Sequence, residues 1–190
     1  MEHAQVAFGT EAGEIAIEVF ATAAPRTAAY FLALVDSGAY AGCAFYRSTD
    51  LGVEAGPRLI QGGPLARVLA PSASADVGAA GAFRLLEAFE TTAESGLRHE
   101  AGSVSLARDL LDTGHALPEV FLCLGRFPQL DAGGRSEPDA RGFPAFGRIV
   151  RGLDVAQRIA GGETNGATPI AMLSGQILTR PVRIDRVSRV

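Results

Sequence analysis

Short stretches of alternating or continuous apolar residues, about seven or eight of them, are separated by Gly- and Pro-bearing loops and leave few folds open to this chain. Glu14-Ile15-Ala16-Ile17-Glu18-Val19-Phe20 alternates polar and apolar, as a half-buried strand does. Gly13 suits a hairpin turn from a first strand near Gln5 to Phe8. Ser103 to Arg108 and Pro144 to Val150 read as further strands. Val120-Phe121-Leu122-Cys123-Leu124 is almost continuously apolar, which predicts a deeply buried central strand, and Val182 to Ile184 begins the last one. Between the second strand and Gly38, Pro25 opens a helix at a position where its missing N–H costs nothing. Ala28, Phe31, Leu32 and Val35 give that helix one apolar face. Asp154 can cap a second helix, Val155 to Ala160. Pro64 to Gly81 and Asp109 to Pro118 read as loops, as does Leu130 to Gly142, and Phe83 to Phe89 is ambiguous. Many short strands with two helices predict a single all-β domain over residues 1–190, a barrel or sandwich with helical caps.

The most informative stretch runs from Phe45 to Gly63. Phe45-Tyr46-Arg47 and Leu59-Ile60-Gln61-Gly62-Gly63 read as two strands of a hairpin around the polar connection Ser48 to Pro57. Strict alternation puts Phe45 and Arg47 on one face, and Leu59 and Gln61 on one face. If the strands pair, Arg47 and Gln61 meet on a common surface. A guanidinium fork beside an amide can hold a carbonyl group, and the pair contains no nucleophile.

Bulk properties narrow the chemistry. The formal net charge of −4 argues against a broad nucleic-acid-binding surface. No apolar run approaches the roughly 20 residues that span a bilayer. Met1 to Thr10 lacks a basic start and a long apolar core, so a cytoplasmic location is expected, although a periplasmic or exported chain with its leader removed would look the same. Cys43 and Cys123 have no zinc spacing and are expected to be small buried residues. His3, His99 and His115 fall in expected loops or termini and read as solvent-exposed. No P-loop, dinucleotide fingerprint, HExxH or GxSxG is present, so no cofactor and no metal is expected.

Four collinear segments resemble one family. They are Phe45-Tyr46-Arg47, Ile60-Gln61-Gly62-Gly63, Gly102 to Arg108 and Phe146 to Val155. In order and spacing these are similar to the marks of cyclophilin-type peptidyl-prolyl cis-trans isomerases. Glu90-Thr91-Thr92 and Gly96-Leu97-Arg98-His99 resemble the bacterial branch. The resemblance implies a closed eight-stranded antiparallel β-barrel capped by two α-helices. It implies catalysis of X–Pro rotation in proline-containing peptides or proteins; a monomer is expected, with neither nucleic acid nor membrane as a partner.

By the same resemblance Arg47 is the catalytic donor, and Gln61 holds the peptide backbone and orients Arg47. Leu59, Phe121, Leu130 and Phe143 fall on the family's proline-pocket positions. Ala107 and Arg108 fall where the family contacts the peptide backbone. The chain also departs from the pattern. Arg108 replaces the usual Asn, Phe143 replaces His or Tyr, and Gln129 stands where many eukaryotic members carry Trp. Glu119 stands in place of Gln, expected on the rim near Arg47, where its carboxylate would compete with substrate for the guanidinium. This altered rim motivates a rival reading, a proline-segment binding module or chaperone with little turnover.

Overall fold

The structure is a computed structural model that describes residues 4–53, 56–69 and 84–190. Eight strands close into an antiparallel barrel: β1 (Ala4–Thr10), β2 (Gly13–Val19), β3 (Ala44–Thr49), β4 (Leu59–Gly63), β5 (Ser103–Arg108), β6 (Ala116–Cys123), β7 (Ala145–Arg151) and β8 (Ile177–Arg189). Their order around the barrel is β1-β2-β7-β5-β6-β4-β3-β8. Closure removes the open edges that such short strands would otherwise expose.

Among the described residues two helices with apolar faces cover the barrel, α1 (Pro25–Asp36) and α4 (Leu153–Ala160), and two single-turn helices, α2 (Ala66–Leu69) and α3 (Thr92–Ser95), lie between them in the chain. The barrel interior is filled by Phe8, Ile17, Phe45, Ile60, Leu106, Leu122 and Phe146, and Phe31 of α1 packs 4.7 Å from Phe146, centroid to centroid. Alternation along β4 and β6 sends Ile60, Val120 and Leu122 inward. Leu59, Phe121 and Cys123 point outward into a second apolar cluster with Ala107, Phe127, Leu130 and Phe143. That outer cluster, not the barrel interior, underlies the site. Both cysteines are free and buried, as expected.

The α1 helix has no side-chain cap of its own at Ala24. The carboxylate of Glu90 replaces it from a distant loop, accepting from Arg26 N at 3.0 Å, Arg26 Nε at 2.7 Å, Thr27 N at 3.1 Å and Thr27 Oγ1 at 2.8 Å. The next residue, Thr91, forms a capping box with Glu94 on α3, and Thr92 Oγ1 accepts from Ala132 N at 2.8 Å. Glu90-Thr91-Thr92 thus ties α1, α3 and the loop after β6 together.

Several boundaries differ from the sequence reading. β6 begins at Ala116, inside the expected Asp109–Pro118 loop, and β8 begins at Ile177, five residues early. Part of the expected surface excursion from Pro64 is α2, with Ala66 and Leu69 buried, and the remainder, residues 70–81, lies outside the described residues, as do Phe83 and His3. His99 is not a surface residue: it is fully buried, with Nδ1 2.8 Å from Asp131 Oδ1.

Candidate active site

A cleft of about 480 Å³ lies on the outer face of β3, β4, β5 and β6. Its floor is Phe121, with Leu59, Leu130 and Phe143 around it, and the ring of Phe143 stands edge-on to Phe121 at 5.7 Å and 84°. Ala107 contributes from β5, and Leu110, Leu117 and Met172 widen the apolar wall. A pocket of this size and composition takes a small apolar ring together with the chain on either side of it.

Arg47 and Gln61 face this cleft from directly opposed positions of β3 and β4. A β-bulge brings Arg47 there. The register passes from Phe45↔Gly62 to Arg47↔Gln61, so Tyr46 is the extra residue on β3. Phe45 therefore points into the barrel while Arg47 points out of it. This corrects the expectation that Phe45 and Arg47 share a face; Leu59 and Gln61 do share one. Gly62 lets the strands approach here, since a Cβ on it would sit 2.6 Å from Ala44 O.

The guanidinium is held at two points. Arg47 NH1 donates to Gln61 Oε1 at 2.8 Å, and Arg47 Nε donates to Gln176 Oε1 at 2.9 Å, with NH2 on the same oxygen. Gln176 is itself fixed through Nε2 to Met172 O at 3.0 Å. Two N–H groups, one on each terminal nitrogen, are left over for a substrate oxygen, as the guanidinium carries five donors. Burial lowers the pKa of Arg47, but a group this basic stays charged at neutral pH. Gln176 escaped the sequence reading because it lies 129 residues from Arg47 and belongs to no motif.

Arg108 lines the cleft, but its side chain serves the wall. It donates to both oxygens of Asp139 at 3.0 and 2.6 Å, to Gly142 O at 2.7 Å and to Gly114 O at 2.8 Å. The bidentate pair and the two carbonyl bonds join β5 to the loop after it and to the loop after β6.

Glu119 requires a correction. It is fully buried, lies behind the cleft wall, and makes no ion pair with Arg47. Its carboxylate accepts from Tyr46 OH at 3.0 Å and from Leu65 N at 2.6 Å. The expected competition with substrate for the guanidinium is thereby excluded. Gly63 accommodates the carboxylate, as a Cβ there would lie 2.7 Å from Glu119 Oε1. Among the described residues no group of three or more His, Cys, Asp or Glu side chains is placed to hold a metal.

Fold and cleft together define a closed-barrel protein with an apolar ring pocket and a fixed cationic donor at its edge, arranged for binding without covalent chemistry. The family model for cyclophilin-type peptidyl-prolyl cis-trans isomerases matches residues 5–188. The chain belongs to this family and is an isomerase. It is 28% identical over 181 residues to the peptidyl-prolyl cis-trans isomerase cyp18 of Streptomyces antibioticus, covering 91% of this chain and 98% of that one. It is 28% identical over 155 residues to the human peptidyl-prolyl cis-trans isomerase-like 3, covering 81% and 80%. A solved cyclophilin-type isomerase of Cryptosporidium parvum superposes with a TM-score of 0.67 at 18% identity, over 100% of this chain and 98% of that chain.

Proposed function

We propose that this isomerase seats the proline of an X–Pro segment on Phe121 and stabilises the twisted amide with the two remaining donors of Arg47. Amide resonance sets a barrier of roughly 18–20 kcal/mol to rotation about the bond. A catalyst needs only to bind the twisted form better than either planar one. Donors fixed beforehand in a largely dry site do so without reorganising during the reaction. The single observation that supports Arg47 in this role is its position, held by Gln61 and Gln176 at the edge of an apolar cleft. Gln61, Ala107 and the backbone of Arg108 would bind the peptide chain, while Leu59, Leu130 and Phe143 would close around the ring. Glu119 has no direct place in this set.

A protease-coupled assay, which cleaves only one prolyl isomer, tests the reading. Arg47→Ala should lower the rate by roughly 10²-fold, as loss of one preorganised donor does elsewhere, and leave the fold intact. A folded Arg47→Ala protein at the wild-type rate would remove Arg47 from catalysis. Peptide binding without turnover in the wild type would favour a proline-binding module instead. We further infer a cytoplasmic monomer that engages neither nucleic acid nor membrane. The net charge of −4 supports the second point, and sedimentation with cell fractionation tests the first.

A further inference from the structure

The two groups that face the cleft are linked to a third that does not. Arg47 NH1 donates to Gln61 Oε1 at 2.8 Å, Gln61 Nε2 donates to Tyr46 OH at 2.9 Å, and Tyr46 OH donates to Glu119 Oε2 at 3.0 Å. One line of hydrogen bonds thus runs from the cleft to a carboxyl behind the wall. Tyr46 and Glu119 are fully buried and Gln61 is 7% exposed, so bulk water cannot substitute for a missing partner along it.

We propose that Glu119 is a positioning residue that acts through Tyr46 and Gln61 to hold Arg47 in its productive orientation, and that loss of its negative charge releases that hold. The proposal rests on the catalytic role of Arg47 given above.

The direction of each bond supplies the reason. A carboxylate only accepts, so Tyr46 must spend its single hydrogen on Glu119. The hydroxyl oxygen then accepts from Gln61 Nε2, which turns Gln61 Oε1 toward Arg47. A protonated Glu119 reverses this order. Leu65 N already points at Oε1, so the acid hydrogen falls on Oε2 and faces Tyr46. Tyr46 must then donate elsewhere, and Gln61 is its other side-chain partner among the described residues. To accept, the Gln61 amide turns over and presents NH₂ to the guanidinium, donor against donor. Leaving the buried hydroxyl hydrogen unpaired is the costly alternative.

The surroundings of Glu119 make its charge responsive. Tyr46 lies against it on β3, and Tyr30, Tyr40 and Cys43 lie within its field. Arg67 acts on Cys43, and Arg47 lies on the far side of Tyr46. No cation pairs with Glu119 among the described residues. Burial pushes its pKa up to about 8, against the hydrogen bonds from Leu65 and Tyr46 that hold it down. The neighbours that titrate, Tyr30, Tyr40, Tyr46 and Cys43, are pushed further up and stay neutral through that range.

The test follows kcat/KM by exchange NMR on a neutral X–Pro peptide from about pH 6.5 to 9.5, with the resonance of the Arg47 guanidinium carbon, which carries no exchangeable proton, as a second signal. The wild-type rate should rise about tenfold, a factor worth about 1.4 kcal/mol, and the Arg47 resonance should sharpen over the same range. Glu119→Gln, which cannot become an anion, should stay flat at the low-pH level. Tyr46→Phe, which cuts the line in the middle, should be flat as well, and it answers the question if Glu119→Gln does not fold. An active wild type with a flat profile overturns the proposal, as does a Glu119→Gln protein that keeps the rise or sits at the high-pH level. A wild type inactive at every pH overturns instead the isomerase reading beneath it.

Discussion

The imidazole of His99 lies nearly flat against the ring of Phe121, with centroids 5.7 Å apart and planes 18° apart. The floor of the cleft is therefore supported from behind by a titratable group. Asp131 fixes the imidazole by accepting at Oδ1 from His99 N at 3.0 Å and bonding Nδ1 at 2.8 Å. Burial lowers the pKa of His99, outweighing the hydrogen bond and charge of Asp131 that raise it. The unfolded chain takes up a proton near the usual value of about 6.5, whereas the folded chain resists it until lower pH. Stability should fall as pH drops through that window. His99→Phe, which keeps a ring behind Phe121, should lose this part of the slope in thermal melts between about pH 5 and 7.5. An identical slope in the variant would assign the effect to other groups.

Truncating the floor itself should act on both binding and stability. Phe121 is 3% exposed and belongs to the second apolar cluster. Phe121→Ala should cost about 3–5 kcal/mol in stability and weaken peptide binding. Denaturant melts and peptide titrations on the same sample separate the two effects. Wild-type affinity in a folded variant would place the proline elsewhere.

Gln176 should matter less than Arg47 and in a recognisable way. It holds two of the three guanidinium nitrogens but offers no donor to the amide. Gln176→Ala should lower kcat several-fold, less than Arg47→Ala, and leave the affinity for ground-state peptide nearly unchanged. An equal loss in KM would mean that Gln176 touches the substrate.

Which parts of this could be read from the residues follows from distance along the chain and from side-chain type. Arg47 and Gln61 sit 14 residues apart on one hairpin, so their meeting was legible. The reason they meet was not, because the bulge at Tyr46 breaks the alternation on which the face assignment relied. Gln176 becomes a partner only once β8 closes the barrel beside β3. β8 itself was read short because most of its thirteen residues are exposed or half-exposed and leave little apolar pattern. Glu119 was expected on the rim by resemblance and His99 at the surface by its place in a loop, and ionisable side chains seldom go fully inside unless paired. Both are buried here because backbone and side-chain donors or acceptors await them.

Glu90 predicts an acid transition. Burial pushes its pKa up, but the donors of Arg26 and Thr27 outweigh this and hold it at about 2. The folded value lies below the unfolded one, so its contribution is complete above about pH 4.5 and is lost as pH falls toward 2. The shift corresponds to about 3 kcal/mol. Glu90→Gln should lose about that much at neutral pH and show a shallower acid limb. Equal acid limbs would mean that the loss comes from elsewhere.

Glu119 should push stability and activity in opposite directions. Its pKa rises from 4.5 to about 8 on folding. Between those values the folded chain holds a proton that the unfolded chain has released, so stability falls as pH rises through the window. The buried anion is the destabilising form, because its two donors do not replace the water it has lost. The same anion is the form that orders Tyr46, Gln61 and Arg47. Wild-type melting temperature should therefore decline as pH rises to about 8 and level off above it, while turnover increases. Glu119→Gln should flatten the melting profile and, above pH 8, unfold at a higher temperature than the wild type despite turning over more slowly. Melts and exchange rates from one pH series give both quantities. A variant that gained neither stability at high pH nor a flat profile would show that Glu119 is ionised throughout and contributes no switch.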